Sequence, residues 1–147
     1  MPTNHHGTLV IAGDRGVFIT GPSGSGKTAL AFAILRHCAA SGRLGRLVSD
    51  DQVFLSGLNG RLIGRAAPAI GGLAEAHGLG PASLPYQDAA VIDLVVQLVP
   101  PDKAPRYQEA GTARLEGVEV PHLQLAERNA ESAIWAIAAR FALPPFG

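Results

Sequence analysis

The sequence predicts an α/β fold: a P-loop-containing mixed sheet with antiparallel pairs and flanking helices. Three observations predict it. Val17-Phe18-Ile19-Thr20 is an apolar, β-branched run of the buried-strand kind. Ala29 to Ala40 is rich in Ala and Leu and nearly free of breakers, the composition of a helix. Between them stands Gly21-Pro22-Ser23-Gly24-Ser25-Gly26-Lys27-Thr28, which satisfies G-x-x-x-x-G-K-[ST] in full. At 147 residues the chain is sized for one domain, residues 1–147.

The elements follow in order. Thr8 to Ile11 reads as a short strand, and Asp14-Arg15-Gly16 is turn chemistry before the strand Val17 to Thr20. The helix Ala29 to Ala40 is stopped by Gly42. Arg46 to Ser49 is a strand leading into Asp50-Asp51. Val53-Phe54-Leu55 and Arg61-Leu62-Ile63 flank Leu58-Asn59-Gly60, and Asn-Gly favours a tight primed turn, so a hairpin is expected. Residues 64–86 are rich in Gly and Pro and read as irregular. Ala89 to Val99 is a long strand ended by Pro100-Pro101, and residues 101–112 read as a mobile loop. Val118 to Leu125 reads as a strand, and Glu127 to Leu143 as a helix. Cys38 and Trp135 fall on apolar helical faces, where core packing is the expectation.

Composition excludes several classes. Apolar residues make up 47 %, enough for a buried core, and 12 Lys and Arg balance 12 Asp and Glu. No basic excess marks a nucleic-acid or membrane surface. The longest apolar stretch contains Asp93 and is too short to span a bilayer. The first residues lack the basic and apolar regions of a signal peptide. Cys38 is the single cysteine, which excludes an internal disulfide and a cysteine-cluster zinc site. A cytoplasmic, soluble protein is the expectation.

The glycine-rich loop carries the chemistry. Gly21, Pro22, Ser23, Gly24, Ser25, Gly26, Lys27 and Thr28 are the candidate nucleotide-binding residues. Its glycines let successive N–H groups curl around phosphate oxygens, and the helix that follows aims its positive dipole end at the anion. Lys27 is placed to reach β- and γ-phosphates and Thr28 to bind Mg²⁺. A P-loop also needs an acid at the end of a neighbouring strand, and Asp50-Asp51 has that position. Two adjacent carboxylates allow a division of labour, one facing the metal and one facing an attacking hydroxyl as general base. On a regular strand they point to opposite faces, so a turn is needed to bring both inward. The alternative is a solvated acidic turn.

These residues, with others in order, resemble the catalytic domain of HPr kinase/phosphorylase. His6-Gly7, Thr20 to Thr28, Val48 to Val53, Glu75-Ala76-His77-Gly78-Leu79-Gly80 and Arg128-Asn129 are similar to its H-G, T-G-x-S-G-x-G-K-[ST], V-A-D-D-x-V, E-[IV]-R-G-[LI]-G and G-R-N segments. His6 lies 21 residues before Lys27, and Glu75 lies 25 after Asp50, as in that family. The resemblance implies an HPr kinase/PEP carboxykinase-like fold. It implies an ATP- and Mg²⁺-dependent kinase acting on a serine of HPr, the phosphocarrier of the bacterial sugar phosphotransferase system. It also implies the reverse reaction, phosphorolysis, in which inorganic phosphate takes up the phosphoryl group to give pyrophosphate. Carried over by position, Asp50 is the proton acceptor and, in reverse, the donor. Lys27 and the loop bind ATP, Thr28 and Glu75 hold Mg²⁺, and His6 lies at the active site. Asp51 is the second acid for the metal, and Arg106 is the nearest candidate for a further catalytic arginine. A homo-oligomer, a hexamer, is implied as well.

The chain departs from the family in places. It resembles the short forms of alpha-proteobacteria, without the separate N-terminal domain that full-length members carry. His77 stands for the arginine of E-x-R-G-x-G, Pro81-Ala82-Ser83 for the apolar residues after it, and Ala126-Glu127 for Pro-Gly before Arg-Asn. The last segment is tied to dephosphorylation in the family, so the reverse activity is the more exposed to change. Bland readings stand beside these. His6 also reads as a surface residue, Glu75 as a surface carboxylate, and His77 as a solvated loop histidine. Arg128-Asn129 is equally a cap for the last helix, Asn being a favoured N-cap residue. Arg106 and Tyr107 read as closing over a partner or as an ordinary solvated loop. Two functions fit: the serine kinase of an HPr-type carrier, or an ATP-binding regulatory module with little phosphotransfer. A small-molecule P-loop kinase is a third, weakened by the lack of an Arg-rich lid segment.

Overall fold

The computed structural model describes residues 2–67, 86–109 and 111–147, and the backbone of 73–76 and 80–83. Eleven strands and two helices are described: β1 Thr3–His6, β2 Thr8–Ala12, β3 Arg15–Thr20, α1 Lys27–Ala40, β4 Gly45–Ser49, β5 Gln52–Leu58, β6 Arg61–Ala66, β7 Leu73–Ala76, β8 Gly80–Ser83, β9 Ala89–Val99, β10 Gly111–Leu115, β11 Val118–Ala126 and α2 Ala130–Arg140. Among the described residues, nine of the strands form one mixed sheet, with β7 and β8 a separate antiparallel pair. The predicted α/β class with antiparallel pairs is what the chain adopts.

β9 organises the sheet. It is predominantly apolar and feeds cores on both faces, as suits a central strand. Its first residues pair antiparallel with β6, and its later residues pair parallel with β3 on one side and β11 on the other. One wing runs β1-β5-β6 from the start of β9, and the other runs β9-β3-β2-β4, with β10 beyond β11.

Two cores result from the alternation of side chains, which an irregularity in the β3–β9 register resets between Ile92 and Leu94. Val17, Ile19, Leu94, Val96 and Leu98 face α1 and α2, where Leu30, Ile34, Ile134 and Ile137 meet them. Phe18, Leu9, Ile92 and Val95 face the other way, onto Val53, Leu55 and Leu62 of β5 and β6. The result is three layers: helices, the β4-to-β11 wing, and the β1-β5-β6 wing. Each fully buried Leu, Ile or Phe contributes about 1.5–3 kcal/mol, so the sheet is fixed from both sides.

Several elements differ from expectation. β1 consists of polar Thr, Asn and His and carries no apolar signal; it is an edge strand added to β5. Residues 64–86 are not irregular throughout: β6 runs to Ala66, and β7 and β8 pair. The expected loop at 101–112 holds a 3-10 turn at Pro101–Lys103 and ends in β10, a largely exposed strand with little pattern to read. The last helix spans Ala130–Arg140, shorter than Glu127 to Leu143, because Arg128 takes a left-handed backbone, φ 52°, before it. Cys38 is buried as expected, and burial pushes its thiol pKa up. Trp135 is not in the core: it is 49 % exposed. The buried stripe of α2 is Ala133, Ile134, Ile137 and Ala138, which leaves Trp135 on the flank against the edges of His37 and Phe146. The Asn59-Gly60 turn has positive φ at both residues, as a primed hairpin turn requires.

Glu116, in the turn between β10 and β11, reaches across to β1. It accepts from Thr3 Oγ1 at 2.9 Å and lies 3.0 Å from His5 Nε2. The His5 contact first, and the Thr3 bond second, hold its carboxyl below the usual carboxylate range. A carboxyl whose pKa is lowered by folding stabilises the fold above its ordinary pKa, and that support is lost as pH falls through the lowered value. The protection of the Asn4–His6 amides, taken relative to their intrinsic exchange rates at each pH, is therefore expected to fall on acidification in that range and to be low already at neutral pH in Glu116→Gln. Equal protection in both proteins would show that pairing with β5 alone holds β1. A second test concerns the β3–β9 contact. A Cβ on Gly16 would sit 2.1 Å from the Val91 carbonyl oxygen, a backbone atom that cannot swing away. Gly16→Ala is expected to lower unfolding stability by about 1–3 kcal/mol in chemical denaturation.

Candidate nucleotide-binding and phosphotransfer site

The strand directions put the site at one edge. β3, β9 and β11 are parallel, and β4 is antiparallel to β2, which is antiparallel to β3. The carboxyl ends of β3, β4, β9 and β11 therefore lie together, the place where open α/β sheets bind ligands. From them spring the glycine-rich loop, the aspartate pair, the 100–109 segment and the Glu127-Arg128 turn.

The loop leaves β3 at Gly21 and enters α1 at Lys27. Gly24 and Gly26 have φ of 81° and 96°, a left-handed geometry that only glycine takes without cost. Gly26 is the N-cap of α1, and the first turn carries no acidic residue. The positive end of the helix dipole is thus left for an anion. Lys27 is 7 % exposed and donates to the carbonyls of Gly21 at 2.9 Å and Pro22 at 3.2 Å. Ser25 is buried, and its hydroxyl has no hydrogen-bond partner among the described residues. A loop with inward-curling glycines, an ammonium and a buried hydroxyl fits a polyphosphate.

The aspartates diverge. Asp50 directly follows β4, is 8 % exposed, and receives bonds from Thr28 Oγ1 at 2.9 and 3.0 Å and from Thr8 Oγ1 at 2.8 Å. Asp51 turns the other way through a left-handed backbone, φ 72°, and its carboxylate lies 3.3 Å from His6 Nε2 at the surface. Gly7 N–H donates to the Asp51 carbonyl at 3.0 Å, which fixes the end of β1 on this turn. The structure thus makes two pairs, Thr28–Asp50 and His6–Asp51. Thr28 and Asp50 supply the oxygen ligands Mg²⁺ favours.

Other expected residues lie elsewhere. Arg106 is exposed, its guanidinium 5.6 Å from the Tyr107 ring centre, and among the described residues no hydrogen bond or ion pair ties it to the loop. Glu75 is on β7 opposite Pro81; its side chain and His77 lie outside the described residues. Asn129 does occupy the N-cap of α2, but its side chain makes no capping bond. Sequence reasoning missed Thr8, for which a threonine opening a strand gives no signal. It also missed that Arg128 touches the loop, donating through its N–H to the Ser25 carbonyl at 2.9 Å. A cleft of about 450 Å³ lined by Arg15, Arg61, Asp93, Glu119 and Arg140 lies at the amino ends of β3, β6, β9 and β11, away from all of these groups.

Comparisons with known proteins agree with this geometry. Residues 1–143 match the family described as HPr Serine kinase C-terminal domain. The chain is 34 % identical over 143 residues to the HPr kinase/phosphorylase of Geobacter sulfurreducens, covering 87 % of this chain and 42 % of that protein. It is 40 % identical over 78 residues to that of Clostridium beijerinckii, covering 53 % of this chain and 24 % of that protein. The chain thus spans less than half the length of these curated relatives. The structure of the Hpr(Ser) kinase/phosphatase from Coxiella burnetii superposes with a TM-score of 0.80 at 24 % identity, covering 95 % of this chain and 96 % of that one, which shows a shared fold. No described helix is long and apolar enough to cross a membrane.

The Thr8 bond yields a test. A hydrogen bond to a charged group contributes about 1.5–3 kcal/mol, and a buried carboxylate stripped of one keeps its desolvation cost. Thr8→Val is expected to lose about that much stability, read by denaturant unfolding at neutral pH. A loss below about 0.5 kcal/mol would show that Thr8 does not support Asp50.

Proposed function

Since the chain belongs to the HPr serine kinase C-terminal domain family, we propose that it is an ATP- and Mg²⁺-dependent serine kinase of an HPr-type phosphocarrier protein, acting in the cytoplasm. The observation that carries this reading is the contact of Thr28 with Asp50. It joins the phosphate loop to an acid at the next strand end but one, the arrangement phosphoryl transfer by a P-loop needs.

The loop N–H groups and the α1 amino end bind the triphosphate, and Lys27 moves from the loop carbonyls to the β- and γ-phosphates. Mg²⁺, when bound, would supply neutralisation of the charge that develops on the phosphate oxygens. Thr28, Asp51 and Glu75 are the proposed residues that hold it. The serine oxygen of the carrier attacks the γ-phosphorus, the bond to the bridging oxygen breaks, ADP leaves, and the serine proton passes to Asp50. A carboxylate is a weak base for a serine alcohol, which suffices because positioning and charge neutralisation dominate this chemistry. His6 steadies the Asp51 turn. Arg106 is the further arginine proposed to meet the transferred group when the carrier docks. In reverse, an oxygen of inorganic phosphate attacks the phosphoserine phosphorus, pyrophosphate forms, and Asp50 returns the proton to the serine oxygen.

One observation favours a second division of labour. Asp50 is buried on the Thr28 hydroxyl, whereas Asp51 faces solvent beside His6. This suits Asp50 to the Mg²⁺ side and Asp51 to the serine proton.

Labelled γ-phosphate transfer from Mg-ATP to a purified HPr-type carrier tests the proposal. Serine labelling is expected, and Asp50→Asn is expected to cut it by about 10²-fold or more. If Asp50 serves the metal instead, its loss is largely recovered at high Mg²⁺, and Asp51→Asn carries the rate defect that Mg²⁺ does not repair. ATP binding with no labelling of any carrier would overturn the kinase and leave an ATP-binding regulatory module.

A further inference from the structure

The geometry points to Arg128 as a positioning residue of the phosphate loop, held in place by Glu127; this rests on the nucleotide-binding reading of that loop. A loop that curls its N–H groups inward around phosphate turns its carbonyls outward, and each needs a donor. Within the loop the Ser25 N–H serves the Pro22 carbonyl at 3.0 Å, and two residues supply further donors. Lys27 Nζ serves Gly21 and Pro22, and Arg128 serves Gly24 and Ser25. The Arg128 main-chain N–H reaches the Ser25 carbonyl at 2.9 Å, and its Nη1 reaches the Gly24 carbonyl at 3.2 Å.

The local sequence builds this donor deliberately. Arg128 has φ 52°, a strained conformation for a non-glycine residue, and a cost held at such a place calls for a compensating contact. That backbone directs its N–H at the loop. Gly26 passes so close that a Cβ there would lie 3.4 Å from the Arg128 Cα. Glu127 supplies the anchor. Its N–H donates to the Val99 carbonyl at 2.8 Å, its side chain is 10 % exposed, and its Oε1 accepts from Arg128 Nη2 at 2.8 Å. The planar guanidinium is thereby held between an acid and a loop carbonyl, a two-sided grip that a lysine ammonium does not reproduce.

The two donors differ in what happens on binding. Lys27 leaves its carbonyls when its ammonium turns to phosphate. Arg128 has no such second duty, so its side of the loop stays tethered in both states. Its effect therefore falls on nucleotide affinity, through loop order, and not on the transfer step.

Amide exchange across residues 23–26 and calorimetric ATP binding, both on the whole chain, test this. Arg128→Ala is expected to speed exchange of the loop amides and to weaken ATP by about three- to tenfold, the scale of a partly exposed charge-assisted bond. KM for ATP rises to match, and kcat with saturating ATP stays within about twofold. Arg128→Lys recovers little, and Glu127→Gln gives a weaker form of the same defect. Arg128→Gly guards against misfolding, since glycine eases the left-handed backbone while removing the guanidinium. Unchanged loop exchange in Arg128→Ala and Arg128→Gly overturns the inference, whatever the chain does with ATP or carrier. A fall in kcat with KM unchanged also overturns it and makes Arg128 a transfer residue. A chain that binds no ATP contradicts the proposed function instead, and the exchange result still decides the role of Arg128.

Discussion

The contact between the Thr28 hydroxyl and the Asp50 carboxylate is what the site depends on. It brings together two segments 22 residues apart, one the start of a helix and the other the end of a strand. It exists only because β2 lies between β3 and β4 and runs against both. That order sets the ends of β3 and β4 side by side, with the start of β2 between them. Thr8 is that start, and it supplies the third hydroxyl contact to the same carboxylate. Two hydroxyl donors keep a nearly buried Asp satisfied. The cores beneath keep the edge rigid, with Ile19 and Leu30 packed on the helix side and Leu9 and Val48 on the other.

The sequence made much of this legible. The loop motif, the flanking strand and the helix after it are local and chemically constrained. β9 could be read because a strand buried on both faces is predominantly apolar, with Asp93 and Gln97 the exceptions, and the β5–β6 hairpin because Asn59-Gly60 permits few other turns. What escaped reading lies at the edges. β1 is polar because it is largely solvated; it pairs with β5 through its backbone, and the side-chain contacts of Thr3 and His5 go to Glu116, over a hundred residues away. β10 is exposed on an outer edge, where side chains carry little patterning. Trp135 looked like core because it sits in an apolar helix, yet the helix stripe beside it is already filled by Ala and Ile.

The site was legible as a set of residues and not as an arrangement. Adjacent aspartates were expected to need a turn to act together. A turn is present, with Asp51 in a left-handed backbone, and it separates them: one goes to the loop, the other to His6. Side-chain direction at a strand end follows from backbone angles that the sequence did not reveal. Arg128 was open as a helix cap or a motif residue; its backbone faces the loop, because the turn from β11 into α2 passes beside Gly26. Ala126-Glu127 stands before Arg128, and the glutamate's acid is the one that grips it.

The most direct measurement is a double-mutant cycle on Mg-ATP affinity with Thr28→Val, Asp50→Asn and the pair. If Thr28 and Asp50 act as one unit joining loop to acid, either single change removes most of the effect, and the pair costs little more. A coupling of about 1 kcal/mol or larger is the predicted result. Additivity within about 0.5 kcal/mol would contradict the account, since independent groups cannot form the joint on which the site is built.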